Sequence, residues 1–245
     1  MTTTPIIHIP ASAHPWSIVY ATAKTVDPDS WLLTGGLMVQ LHAMMGGLDV
    51  RPTTDADLLA DLMSDRRGIN EIRNVLSRYG FTARTGTLTG YTTRLVAPNG
   101  NVVDLLVADH LPKHLHGDAK LSGSPILPMP GGAQAIERSM HVTIADHGKS
   151  VLIRIPDLLG ALILKSAAWS ADRAGFESRH LRDAAMLASL IDDPDAEVSR
   201  LHSTTDRRRL RVLRDQLTED SEYWDGLDDR HRRNGLDTIE TLAAW

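Results

Sequence analysis

The run Arg51-Pro52-Thr53-Thr54-Asp55-Ala56-Asp57-Leu58-Leu59 constrains this chain more than any other stretch. Two aspartates one residue apart lead directly into apolar positions. On a β-strand, residues i and i+2 share a face, so Asp55 and Asp57 project together from one edge of a sheet. Carboxylates held that close repel each other unless a cation lies between them. A hard divalent ion with oxygen ligands is the natural occupant. Asp-x-Asp also occurs on solvated surfaces, so the neighbours decide its meaning. Upstream, the apolar strand Trp31-Leu32-Leu33-Thr34 ends at Gly35-Gly36. Backbone N–H groups at such a strand–glycine–helix turn can hold a phosphate. Thr53 and Thr54 place hydroxyls beside the aspartates. Asp104 interrupts the apolar strand 102–107, and a lone buried carboxylate there is costly. It has two readings: a third ligand to a shared metal, or an outward residue in ordinary alternation.

The remaining segments follow the change of hydrophobic period. Helices are expected over 16–25, 37–45 and 66–79, the last on the stripe Ile69, Ile72, Val75, Leu76 and Tyr79, with Gly80 as its cap. Strands are expected over 56–62, 81–84, 92–97 and 102–107, with Pro98-Asn99-Gly100 as a turn. Residues 109–132, rich in Pro, Gly and His, read as loop. Residues 140–145 and 151–155 read as a hairpin around Asp146-His147-Gly148-Lys149. Beyond Pro156 the pattern is helical, over 157–171, 178–191, 196–202, 206–217 and 236–243. The expected fold is α+β: a mixed β-sheet flanked by helices over residues 1–155, followed by a C-terminal helical bundle over 156–245.

Bulk properties limit the function classes. The chain has 245 residues and no cysteine, which removes disulfides, thiolate zinc sites and cysteine nucleophiles and fits the cytoplasm. Met1-Thr2-Thr3-Thr4-Pro5 lacks a basic region followed by an apolar one and reads as no secretory signal. The apolar run near 158–164 is too short to span a bilayer, so no membrane is expected. The formal charge of −5 argues against broad coating of nucleic acid while allowing a local basic face. One such face is Arg207-Arg208-Arg209-Leu210-Arg211 with Arg214, read as a solvated helix face paired to Asp206, Asp215 and Glu219. His110, His114 and His116, near Asp109 and Asp118, lack zinc-ligand spacing and read as a solvated loop. Met38, Met44 and Met45 are expected in the core. Trp169, on the helical face of Lys165, is expected to pack rather than stack a base.

The glycine turn, the paired aspartates and Asp104 resemble the nucleotidyltransferase superfamily, with the fold of the DNA polymerase β palm. More narrowly, the chain resembles the AbiEii/MenT-like nucleotidyltransferase toxins. The matching pattern is an apolar strand, Gly35-Gly36, a helix, then Arg51-x-Thr53-x-Asp55-x-Asp57-Leu58. Lys165, Ala168, Arg173 and Arg182-Asp183 follow on later helices, so the resemblance spans roughly 31–190. Gly35-Gly36 replaces the Gly-Ser of most superfamily members, a substitution usual in the toxin branch. Met186 stands where the family often has an aspartate. The resemblance implies transfer of a nucleoside monophosphate from an NTP to the 3′ end of tRNA with release of pyrophosphate, and a cognate antitoxin. It implies Mg2+ or Mn2+ on Asp55, Asp57 and Asp104, with Gly35, Gly36, Thr53, Thr54 and Lys165 binding the nucleotide. Asp183 would orient Lys165. Without the resemblance, Lys165 reads as a snorkelling helix residue. Two alternatives remain: transfer to a small molecule such as an aminoglycoside, and a non-catalytic binding protein of the same fold.

Overall fold

A computed structural model describes residues 4–85, 90–172 and 178–245. The chain runs β1 (Ile6–His8), α1 (Trp16–Ala23), β2 (Trp31–Thr34), α2 (Gly35–Met45), β3 (Asp55–Ala60), α3 (Gly68–Arg78), β4 (Thr82–Thr85), β5 (Thr92–Val96) and β6 (Val102–Ala108). Short strands β7 (Lys120–Leu121), β8 (Ser124–Pro125) and β9 (Pro128–Met129) precede α4 (Gly132–Glu137) and the hairpin β10 (Ser139–Asp146) and β11 (Lys149–Pro156). The described elements that follow are helical: α5 (Leu158–Ala171), α6 (Ser178–Ser189), α7 (Pro194–Val198), α8 (Thr204–Gln216) and α9 (Asp229–Ala244).

The central sheet has the order β2-β3-β6-β5-β4. β3 and β6 are parallel, the other pairs along this path are antiparallel, and β9 adds parallel to the end of β6. A second sheet orders β1-β10-β11, with β1 parallel to β10. The fold is therefore mixed α/β with mixed sheets. Leu58, Leu59 and Ala60 of β3 are buried on successive positions, as a central strand covered on both faces requires. α3 buries Ile69, Ile72, Val75 and Leu76 along one stripe. α5 is buried nearly all round, and Asp157 caps it by accepting from the Gly160 N–H at 2.9 Å. One apolar cluster runs from Leu33 and Leu58 through Leu162 to Leu242, so sheet and C-terminal helices share a core.

Buried ion pairs tie these layers. Arg154 of β11 reaches Asp61, just past β3, at 2.6 Å. Arg138, after α4, reaches Asp206 of α8 at 2.9 Å, with both side chains buried. Asp206 thus faces inward instead of pairing with the arginines of its own helix. Those arginines also separate: Arg209 is buried and donates to Gln134 at 2.8 Å, whereas Arg214 pairs with Asp215 at 3.4 Å.

The sequence pattern missed several elements. β1 is three residues long, too short for a period. α4 begins at the last residue of the stretch read as loop and runs on through residues given no element, and its cap is remote: the Asp109 carboxylate accepts from Gly131 N–H and Ala133 N–H at 2.8 and 3.0 Å. α9 starts at Asp229, before its apolar stripe, because Asp228 caps a polar first turn by accepting from His231 N–H at 2.8 Å. Met38 is buried and Met44 packs on the core, but Met45 is exposed at the end of α2. Asp118 pairs with Arg66 at 2.7 Å, and no histidine cluster at metal spacing occurs among the described residues.

Candidate active site

Sheet register assembles the site. Thr34 of β2 lies opposite Asp57 of β3, and Asp57 lies opposite Asp104 of β6. Asp104 in turn lies opposite Arg94 of β5, and Arg94 opposite Arg84 of β4. Adjacent strands are about 4.8 Å apart and paired residues share a face, so Asp57 and Asp104 stand side by side. Asp55 joins them from two residues earlier on the same strand. All three carboxylates line a cavity of about 230 Å3 between the sheet, α2, α5 and α6. A larger cavity of about 710 Å3 lies between His42, Leu158 and Asn234, with Asp192 as its one carboxylate, and holds none of these residues.

Gly35 and Gly36 form the wall beside the aspartates. Gly35 leaves β2 at φ +64° and starts α2 without an intervening loop. A Cβ on it would fall 1.7 Å from Asp57 Oδ2, so both backbone conformation and space demand glycine. A Cβ on Gly36 would lie 2.9 Å from Thr53 Oγ1. Thr34 offers α2 no side-chain cap; its hydroxyl donates to the Asp57 carbonyl at 3.2 Å instead. The first turn of α2 thus meets the cavity with N–H groups that no capping side chain occupies, a setting that favours an anion. Thr53 lines the cavity, whereas Thr54 is exposed and serves by donating to Asp55 Oδ1 at 3.1 Å.

α5 and α6 supply the opposite wall. Lys165 is only 5% exposed, so it does not snorkel, and its Nζ lies 2.8 Å from Asp183 Oδ2. Asp183 is buried too and also meets Arg51 Nη2 at 3.4 Å. Ala168 lines the cavity as well. Arg182 turns away to Glu222 at 3.0 Å. Met186 and Trp169 pack against the core. Arg173 lies outside the described residues.

Four carboxylates, Asp55, Asp57, Asp104 and Asp183, and four cations, Arg51, Arg94, Lys165 and Arg179, line the cavity. The Asp57 carboxyl is pushed up to about 6, first by burial and then by Asp104, with Lys165 opposing and Asp55 adding to the rise. Asp104 is held by the Arg94 guanidinium in a two-pronged contact, Nε to Oδ1 at 3.0 Å and Nη2 to Oδ2 at 2.8 Å. Among the described residues no three Asp, Glu or His side chains are gathered at metal-ligand spacing. The donor chemistry nevertheless suits a hard cation: Asp55 and Asp57 are oxygen donors on one strand face, and Asp57 has no side-chain partner in the hydrogen bonds of the described residues. His180 borders the same cavity, and burial, with Lys165 and Arg179 nearby, lowers its imidazole to about 4. Its Nδ1 finds no hydrogen-bond partner among the described residues.

The sequence reading omitted Arg94, Arg179 and His180, and left Arg51 without a role. Only Arg51 had a signal, its place in the motif. Arg94 becomes visible through the β5–β6 register alone.

No protein-family model matches the chain, and no curated protein matches it in sequence. Among solved structures, it is similar to an antigenic nucleotidyltransferase-like protein from Paracoccidioides brasiliensis. The identity is 17%, over 65% of this chain and 67% of that one, with a TM-score of 0.36. That likeness is too loose to assign a site. No helix of the described residues is long and apolar enough to cross a membrane.

Proposed function

We propose that this protein is a metal-dependent nucleotidyltransferase that moves a nucleoside monophosphate from an NTP to an acceptor hydroxyl and releases pyrophosphate. The observation that carries the reading is the pairing of Asp57 with Asp104 across parallel strands, with Gly35 pressed against Asp57. Asp55 and Asp57 would hold a magnesium or manganese ion, which supplies Lewis-acid neutralisation of phosphate charge when bound. The first turn of α2 at Gly35-Gly36 offers backbone N–H groups to phosphate oxygens. Lys165, positioned by Asp183, offers a point charge to the triphosphate. As the acceptor oxygen bonds the α-phosphorus, the bond to pyrophosphate breaks and the acceptor proton must leave; Asp104 would receive it. In this reading residues 1–155 form the catalytic core, and residues 156–245 complete the site from α5 and α6.

The resemblance to the toxin branch supports the 3′ end of tRNA as acceptor and a cognate antitoxin as controlling partner. The charge of −5 favours a small-molecule acceptor such as an aminoglycoside. Incubation of the purified protein with Mg2+, bulk tRNA and each α-labelled NTP, with Asp57→Ala in parallel, tests both. Label on tRNA in the wild type alone is expected. Label on a small acceptor instead would replace the acceptor, and neither label nor pyrophosphate would leave a non-catalytic binding protein.

A further inference from the structure

The nucleotidyltransferase reading invites a pair of divalent ions on Asp55, Asp57 and Asp104. The cross-sheet row says otherwise. Asp104 is flanked by Asp57 on one side and Arg94 on the other, each directly paired with it by register. Arg94 engages both carboxylate oxygens, at 3.0 and 2.8 Å. Such two-pronged contacts are among the stronger charge-assisted hydrogen bonds. The Asp104 side chain is 14% exposed and that of Arg94 56%, so the carboxylate is the more buried partner of the pair at the cavity edge.

Asp55, Asp57, Asp104 and Asp183 face Arg51, Arg94, Lys165 and Arg179 around the cavity, so the wall as a whole balances. What singles out Asp55 and Asp57 is that Asp104 and Asp183 already hold side-chain cations. Asp183 is shared by Lys165 at 2.8 Å and Arg51 at 3.4 Å. A second divalent ion would have to approach Asp104 against a fixed positive charge already on both oxygens. The absence of any three-carboxylate set at metal spacing among the described residues agrees with this.

We infer that Arg94 is a built-in counter-cation that restricts this site to a single divalent ion, held by Asp55 and Asp57, and reserves Asp104 as a positioned carboxylate rather than a metal ligand. The inference rests on the metal-dependent reading above. Arg94 is a positioning residue: it acts through Asp104 and touches no reacting atom.

The test counts ions and needs no turnover. Mn2+ is titrated into the nucleotide-free full-length protein, with bound ion followed by calorimetry and by loss of the free-ion electron paramagnetic resonance signal. Wild type is expected to bind one ion. Arg94→Met is expected to bind two, the first about tenfold tighter than in wild type because a nearby positive charge is gone. Arg94→Met with Asp104→Asn should return to one. Arg94→Lys, which keeps the charge without the two-pronged contact, should bind one, and it is the informative variant if Arg94→Met does not fold. Two ions on wild type or on Arg94→Lys, or one ion on folded Arg94→Met, overturns the inference while leaving the metal-dependent reading intact. No ion on any of them overturns both.

Discussion

Replacing Asp57 with Asn should stabilise the metal-free protein at neutral pH. In the folded chain the carboxyl is raised from its ordinary value of 3.8 to about 6, chiefly by burial and then by Asp104. Each pKa unit corresponds to roughly 1.4 kcal/mol of linkage, so ionised Asp57 costs the fold about 3 kcal/mol above pH 6. The sign is that of a raised acid: its stabilising contribution is complete below the unfolded value and lost as pH rises through the folded one. Asn keeps the shape and removes the charge, and among the described residues no side-chain hydrogen bond of Asp57 is lost with it. Urea unfolding of both proteins in EDTA, at pH 4 and pH 7.5, reads the effect directly. The stability gap should move in favour of Asp57→Asn by about 2 kcal/mol across that window, since part of the change lies below pH 4. Added Mg2+ should then stabilise wild type and leave the variant unchanged, because only a native-state ligand shifts unfolding. A stability gap that stays flat between the two pH values would refute the argument that burial and Asp104 strain the ionised Asp57 carboxylate.

Two further perturbations probe the walls. Gly35→Ala forces a left-handed residue, costing about 1 kcal/mol, and drives a methyl into Asp57 Oδ2 at 1.7 Å. A lowered melting temperature together with lost Mn2+ binding is expected, and normal Mn2+ affinity would contradict the packing. Lys165→Met leaves the buried Asp183 with Arg51 at 3.4 Å as its ion-pair partner among the described residues, at a cost of about 3 kcal/mol. Adding Asp183→Leu should recover most of that stability in a double-mutant cycle, whereas simple additivity of the two losses would show that the pair does not act as a unit.

Local pattern carried much of this protein. The period-two placement of Asp55 and Asp57 and the apolar run behind them made β3 a strand with both carboxylates on one face. Gly35-Gly36 announced the turn from strand β2 into helix α2. The switch of period after Pro156 announced helices α5 to α9, and the stripe from Ile69 to Leu76 announced α3. Each is a property of neighbours within a few positions, where backbone geometry alone fixes which side chains share a face.

Tertiary structure decided what that face meets. Asp104 had two equal readings until the parallel β3–β6 register set it beside Asp57, and Arg94 had no reading until β5 paired with β6. Lys165 and Asp183 lie on different helices, and their 2.8 Å contact depends on how α5 packs on α6. Asp206, read as a partner for its own helix, turns inward to Arg138 instead. Such pairings join residues far apart in the chain, and a strand carries no local mark of which neighbour it takes. A charge likewise carries none of whether it will be buried. The sequence determined the donors and the strand that presents them; packing and register determined that the donors converge, and that Asp104 already holds the Arg94 guanidinium.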